Sequence, residues 1–293
     1  MSENQLTYAA GQRMFAWFNL NLLNYCFYVL LILIFVLVAS PVDKLLILLA
    51  LGAAWIVSYF SFLLRLLSLD GMRSAVLVGT ITLGLGGIEY TAYLLFFFVS
   101  SNIAGFIFSK PNLESRHPLV ERRSAEQVWA NSFWFITGLL LFYITGYWSL
   151  AIAGIAASAT ATADTWATVA GSAAKSDKAK LITTFESVPK GTDGGISLKG
   201  TLGGLFAAIL FAVLSYQFQG ALALQIAAII FISGFLGCLF DSYFGAYFQH
   251  GARSPRISGV AIQPGNNLVN FMATGCSALL AFTLYNILIY ALV

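Results

Sequence analysis

Long apolar runs separated by short polar breaks make up most of this chain, and the runs show no two-residue alternation. Runs of about 16–25 residues have the length of helices that cross a bilayer. They predict about nine spans, at Asn24–Ala39, Leu45–Leu67, Met72–Gly87, Ile88–Phe108, Gln127–Tyr147, Leu150–Gly171, Leu198–Tyr216, Leu222–Phe248 and Leu268–Leu292. The third run is short and carries Gly79, Gly84, Gly86 and Gly87, so a tilted, re-entrant or interrupted segment is expected there. A backbone in lipid must satisfy its hydrogen bonds internally, which leaves helices or closed barrels, and the missing alternation excludes the barrel. The predicted fold class is all-α, a polytopic transmembrane helix bundle. Residues 1–23 form an N-terminal cytoplasmic segment and 24–293 a single transmembrane domain. Met1–Asn24 is polar and mixed with no clear cleavage region, so insertion through the protein's own spans is expected.

Composition agrees with a membrane class. The chain is 59% hydrophobic and 9% charged, where soluble domains are about 25% charged. The placement of bases orients the bundle. With the N-terminus and Arg13 in the cytoplasm, the loops near 68–71, 109–126, 172–197 and 249–267 and the adjoining helix ends collect nearly every Lys and Arg, and Lys44 alone falls outside. An N-in, C-out bundle is therefore expected, in a bacterial inner membrane. The loop near Ser172–Ser197 has room only for a turn or a short helix. Cys26, Cys238 and Cys276 are far apart in apolar runs and read as packing residues. His117 and His250 read as solvated loop residues, and Glu89 as interfacial.

Against this background two acids stand out. Asp164 lies in Thr160-Ala-Thr-Ala-Asp164-Thr-Trp-Ala-Thr168, where Thr160, Asp164 and Thr168 share one helix face. An acid at the centre of a membrane helix costs about 2.5–3.5 kcal/mol on insertion scales, which makes it a functional candidate. Asp241 comes out at the same depth, on a stripe with Gly234, Gly237 and Gly245 that lets another helix approach closely. Asn267 and Asn270 open the last span at that level. Between the two acids, Gly191–Gly204 is the densest glycine cluster in the chain and opens a helix, a place where backbone N–H groups can meet an anion.

These residues suit phosphate chemistry. Mg²⁺ takes hard oxygen ligands from one or two carboxylates, waters and phosphates, so Asp164 and Asp241 are candidate ligands, with Asn267 and Asn270 as further ligands or orienters. Lys199, Arg122 and Arg123 can neutralise phosphate charge. Plainer roles compete: an intramembrane Asp bonding a neighbouring helix, glycines serving only helix packing, and loop bases facing lipid headgroups. Lys199-Gly-Thr201 is not a nucleotide P-loop, because the residue order differs and no strand precedes it.

The motifs carry a resemblance. Ala161-Thr-Ala-Asp-Thr-Trp-Ala-Thr168, Leu181-Ile-Thr-Thr184, Val188-Pro-Lys-Gly-Thr-Asp-Gly-Gly-Ile-Ser197, Gly234-Phe-Leu-Gly-Cys-Leu-Phe-Asp-Ser242 and Asn266-Asn-Leu-Val-Asn-Phe271 resemble one integral-membrane family. Arg122-Arg-Ser-Ala-Glu-Gln-Val-Trp-Ala-Asn131 is similar to a further segment of it. The family was long catalogued as a domain of unknown function, and it includes transmembrane protein nineteen and the phytyl-phosphate kinases. It is distantly similar to the CTP-dependent polyprenol kinases. The resemblance implies phosphoryl transfer from a nucleoside triphosphate, CTP above all, to an isoprenyl monophosphate such as phytyl or geranylgeranyl phosphate. It implies Mg²⁺ as cofactor, Asp164, Asp241 and Lys199 as catalytic residues, and Asp164, Asp241, Asn267 and Asn270 around the metal. Substrate contacts would come from Arg122, Arg123, Asn131, Thr192, Gly194, Gly195, Ser197, Thr160 and Thr168. Two positions depart from the family pattern: Val169 stands where Glu is usual, and Leu268 where Asp is common. A CDP-lipid-forming nucleotidyltransferase and a lipid-phosphate or anion transporter remain as alternatives. No nucleic-acid partner is expected, and the residues leave the oligomeric state open.

Overall fold

A computed structural model describes residues 20–108, 122–174, 176–217, 222–250, 256–257, 260–261 and 265–292. The N-terminal segment, most of the loops near 109–126 and 249–267, and His117 lie outside the described residues. The protein is an all-α polytopic membrane protein. In chain order the helices are α1 (Leu20–Leu33, continued by a π-helical stretch, Ile34–Val38), α2 (Pro41–Leu63), α3 (Leu69–Phe108), α4 (Ala125–Thr145), α5 (Trp148–Ser172), α6 (Leu198–Tyr216), α7 (Ala223–Phe244, with a π-helical end, Gly245–His250) and α8 (Asn266–Leu292). Six helices among the described residues are long and apolar enough to cross a membrane.

Local chemistry sets the helix ends. Ser40 and Asp43 form a reciprocal capping box at the start of α2, with Pro41 in the first turn. Ser124 and Gln127 do the same for α4, which ends on Gly146 in the left-handed conformation. The glycine-rich third run is continuous helix up to its last residue, and the break falls at that end. Gly87 takes φ 67° and ψ −160° inside α3, a backbone state suited to glycine. The chain folds back there, so that Ala75, Gly79 and Leu83 of the first arm line one cavity with Thr91, Leu95 and Phe98 of the second. The predicted spans Met72–Gly87 and Ile88–Phe108 are these two arms.

The bundle is built around α5. Every residue from Ala151 to Ala163 is buried, and α5 packs against α3, α4, α6, α7 and α8. Protein surrounds this helix, so it needs small side chains rather than greasy ones. Its Ala, Ser, Thr and Gly content lets neighbouring backbones come close. At Gly154 an added Cβ would meet the Phe135 carbonyl, and at Gly138 the Leu150 carbonyl and Gly154. Trp129, Tyr93, Phe135, Leu139, Ile152, Ile155 and Phe211 fill the core around it.

One expectation is corrected here. The segment between α5 and α6 is neither a plain turn nor a short helix. It is a three-stranded antiparallel sheet of β1 (Lys178–Leu181), β2 (Ser187–Pro189) and β3 (Gly195–Ile196), with β1 central. Lys178-Ala-Lys-Leu181 alternates exposed and buried, the two-residue period of a half-buried strand. A second short pair, β4 (Arg256–Ile257) with β5 (Val260–Ala261), follows α7.

Candidate acidic cavity at the end of the bundle

The ends of α5, α6, α7 and α8 meet the small sheet around a cavity of 470 Å³. Asp164 and Thr168 project from the last turns of α5, and Asp241 and Ser242 from the last turns of α7. The loop from Lys190 to Ser197 covers the opening, and Asn266 closes it from the start of α8.

The floor of this cavity is a carboxyl pair. Asp164 and Asp241 lie within hydrogen-bonding reach of each other. Two carboxylates in contact repel unless a proton or a cation lies between them. Asn270 holds Asp241 from α8: with its amide turned to satisfy both contacts, its Nδ2 donates to Asp241 Oδ1 at 2.8 Å and to Asn266 O at 3.1 Å. Asp193, on the covering loop, adds its charge to the field at Asp241.

Close helix approach makes the pair possible. Gly237 sits directly against the Thr160 side chain, and an added Cβ there would also press on Ser277. Gly234 packs on Ala159, and Gly204 of α6 on the Ala163 carbonyl. A larger residue at Gly234 or Gly237 would push α7 away from α5 and separate the acids.

The covering loop is positioned by its own chemistry. Gly191 and Gly194 have positive φ of 88° and 75°. Gly194 lies so close to the Ala246 backbone that a side chain has no room, and its carbonyl accepts from Ile182 N at 3.0 Å. Thr192 N donates to Pro189 O at 3.2 Å and Gly195 N to Thr192 O at 2.8 Å, so these two donors belong to the loop's own turns. Ser197 caps α6, its Oγ accepting from Gly200 N at 3.1 Å.

The structure gathers some of the expected site residues and separates others. Asp164, Asp241, Thr168, Thr192, Gly194, Gly195 and Ser197 all line the cavity, with Asn270 bonded behind Asp241 and Thr160 one turn deeper against Gly237. Lys199 faces away, its Nζ donating to Ala173 O at 3.1 Å over the Phe108 ring. Asn267 Nδ2 donates to Glu126 Oε2 at 3.0 Å, and Asn131 Nδ2 to Gln127 O at 2.8 Å. Arg122 lies over Phe62, and Arg123 over Phe97 and Phe98. Among the described residues the cations that line the cavity are Lys178 and Lys190. Lys190 Nζ donates to Ala174 O at 3.1 Å and pairs with Asp177 at 4.0 Å. Lys190 belongs to the Val188–Ser197 motif, whereas Lys178 reads from the sequence only as one of the loop bases. Neither Val169 nor Leu268 is among the residues lining the cavity.

Among the described residues no three His, Cys, Asp or Glu side chains converge as a metal site. A cation here would have two carboxylates, neutral oxygens and its ligand's own oxygens, a donor set that fits Mg²⁺.

A buried small-residue helix ringed by apolar helices, with an acid pair at one end, defines an integral membrane protein with a polar chamber at the bundle's end. The chain belongs to the integral membrane protein family DUF92, whose model matches residues 52–278. It is 32% identical over 224 residues to the uncharacterised membrane protein MJ0933 of Methanocaldococcus jannaschii, covering 75% of this chain and 87% of that one. Identity to the membrane protein sll0875 of Synechocystis is 30% over 196 residues, covering 64% of this chain and 73% of the relative. A shorter stretch of 69 residues is 41% identical to the chloroplastic protein VTE6 of Arabidopsis thaliana, spanning 24% of this chain and 20% of that protein. No solved structure matches.

Proposed function

We propose that this protein is a membrane-embedded lipid-phosphate kinase. It transfers the γ-phosphoryl group of a nucleoside triphosphate, CTP in the first instance, to an isoprenyl monophosphate, and releases an isoprenyl diphosphate and a nucleoside diphosphate. The observation that carries this reading is the Asp164–Asp241 carboxyl pair on the floor of a cavity roofed by a glycine loop. The motif resemblance to the phytyl-phosphate kinases supports it. So does the position of the two departures, Val169 and Leu268, away from the cavity wall.

In this reading Asp164 and Asp241 would hold Mg²⁺, with Asn270 orienting Asp241. Bound there, the ion would draw charge from the β- and γ-phosphates. Lys190 and Lys178 neutralise phosphate oxygens from the rim. An acceptor monophosphate oxygen attacks the γ-phosphorus while the bond to the β-phosphate oxygen breaks. The attacking oxygen is already ionised, so no general base is needed, and the residues' work is positioning and charge neutralisation. In this reading that end of the bundle faces the cytoplasm from an inner membrane, which the clustering of Lys and Arg in the loops at that end supports.

Purified protein supplied with CTP or ATP, Mg²⁺ and phytyl or geranylgeranyl monophosphate should form the lipid diphosphate. No diphosphate from any pairing contradicts the proposal. The rim cations give a sharper check on the site. Lys190→Ala should raise the KM for the nucleotide about tenfold, the scale of one lost charge-assisted hydrogen bond. Lys199→Ala, whose ammonium points at Ala173 and Phe108, should stay within about twofold. The reverse order would place the nucleotide on the other side of α6.

A further inference from the structure

The β1–β2 hairpin carries a residue that its own turn disfavours. Phe185 ends the connecting loop, residues 182–185, with φ 58°. Bulky side chains rarely take this left-handed backbone, and hairpin turns normally place glycine or asparagine there. The turn is firmly closed all the same. Phe185 N donates to Leu181 O at 2.7 Å and Leu181 N to Glu186 O at 2.9 Å, while Thr184 Oγ1 donates to Glu186 Oε2 at 3.1 Å. Phe185 is 64% exposed, and among the described residues its ring meets no other ring or cation. Strain of this kind gathers where a side chain is kept for what it touches outside the fold.

The level of this tip follows from α7, which with its π-helical end runs from Ala223 to His250. At 1.5 Å per residue, about 20 residues cross the ~30 Å hydrocarbon core. A helix that enters the core at Ala223 therefore leaves it near Tyr243. Tyr243 and Tyr247 stand there as a stacked pair, 46% and 36% exposed, with ring centroids 6.3 Å apart. This is the tyrosine belt expected at a membrane–water interface. Ala246 lies within one turn of Tyr243, and the Gly194 backbone rests directly on it. Gly194 O accepts from Ile182 N at 3.0 Å, so the hairpin tip begins at the same level. The headgroup layer extends about 5–7 Å beyond the core, and Phe185, three residues on from Ile182, is within reach of it.

We propose that Phe185 is a membrane anchor. Its ring seats in the interfacial layer of the bilayer on the side of the acidic cavity, and the Ile182–Gly194 hydrogen bond ties the cavity's covering loop to that surface. The partner is the lipid surface itself, whose amphipathic boundary suits an aromatic ring carried on a polar hairpin. In water, nothing would offset either the exposed ring or the left-handed backbone. Phe185 is not among the residues lining the cavity, which favours the lipid surface over a nucleotide base as its partner. The inference stands on the hairpin's geometry and does not need the kinase reading.

The test uses the full chain in phosphatidylcholine vesicles, with Cys26, Cys238 and Cys276 replaced by Ala and a nitroxide attached through Phe185→Cys. Collisions with oxygen, which concentrates in lipid, are compared with collisions with a water-soluble nickel chelate. The same label at Asp177→Cys, where the native side chain is 99% exposed, serves as the aqueous reference. The oxygen-to-nickel ratio should be several-fold higher at 185 than at 177. A second measurement needs no label. Phe185→Asn removes the ring but suits the left-handed turn, so the hairpin keeps its fold. Amide hydrogen exchange across residues 190–197 should nevertheless speed up several-fold in vesicles, while Phe185→Trp should exchange like the parent chain. Three results would overturn the proposal: equal ratios at 185 and 177, a label at 185 that is aqueous and becomes immobile only when CTP and Mg²⁺ are added, or unchanged exchange in Phe185→Asn.

Discussion

Asp164→Asn and Asp241→Asn are each expected to cut formation of isoprenyl diphosphate by about 10²–10³-fold or more, the loss seen when one element of transition-state charge stabilisation is removed. Asn keeps the volume of Asp and much of its hydrogen bonding, so the bundle is not disturbed. Removing one of two like charges in contact also relieves repulsion. The substituted proteins should therefore keep or raise their thermal stability in detergent while losing turnover. Loss of both would make the acids structural, and turnover that survives both substitutions would put the chemistry elsewhere. The pair acts as a unit, so the double variant should lose little more than either single one.

Gly237→Val is expected to have the largest effect on stability. The new side chain collides with Thr160 on α5 and with Ser277 on α8, and neither backbone can retreat without opening the core. Over-packing of this kind costs about 1–3 kcal/mol, occasionally more. Because Asp241 lies one turn further along the same stripe, activity should fall with stability. Two comparisons identify the cause. Gly52→Ala, where an added Cβ meets nothing within 4 Å, should leave thermal unfolding unchanged. Thr160→Ala should recover part of the Gly237→Val loss, because it removes the atoms that clash and makes the two substitutions non-additive. Equal unfolding for Gly52→Ala and Gly237→Val would remove the close-approach account of how the acids meet.

The residues that proved legible in the sequence are those whose position follows from depth alone. Asp164 and Asp241 sit in uninterrupted apolar helices, so helix rise and the distribution of bases put them at one level before any packing is known. Gly87 was half legible: glycines warned of an interruption, but only a backbone angle turns one run into two arms. What stayed hidden depends on rotation about a helix axis. Asn266 and Asn267 differ by about 100° around α8, and packing turns Asn266 to the cavity and Asn267 to Glu126. The Ser197 cap fixes the phase of α6 and sends Lys199 outward, while Lys190 comes to the cavity on the loop. Strands of two to four residues are too short for a periodicity to stand out, so from the sequence the segment has the look of a turn or a short helix.

The central claim is that the γ-phosphoryl group moves to a lipid phosphate at the Asp164–Asp241 pair. It is tested most directly by following labelled phosphate. With γ-labelled CTP and geranylgeranyl monophosphate, the label should appear in the lipid diphosphate, CDP should be released, and Asp164→Asn should stop both. Label from α-labelled CTP entering the lipid, with pyrophosphate released, would contradict the account and make the protein a nucleotidyltransferase.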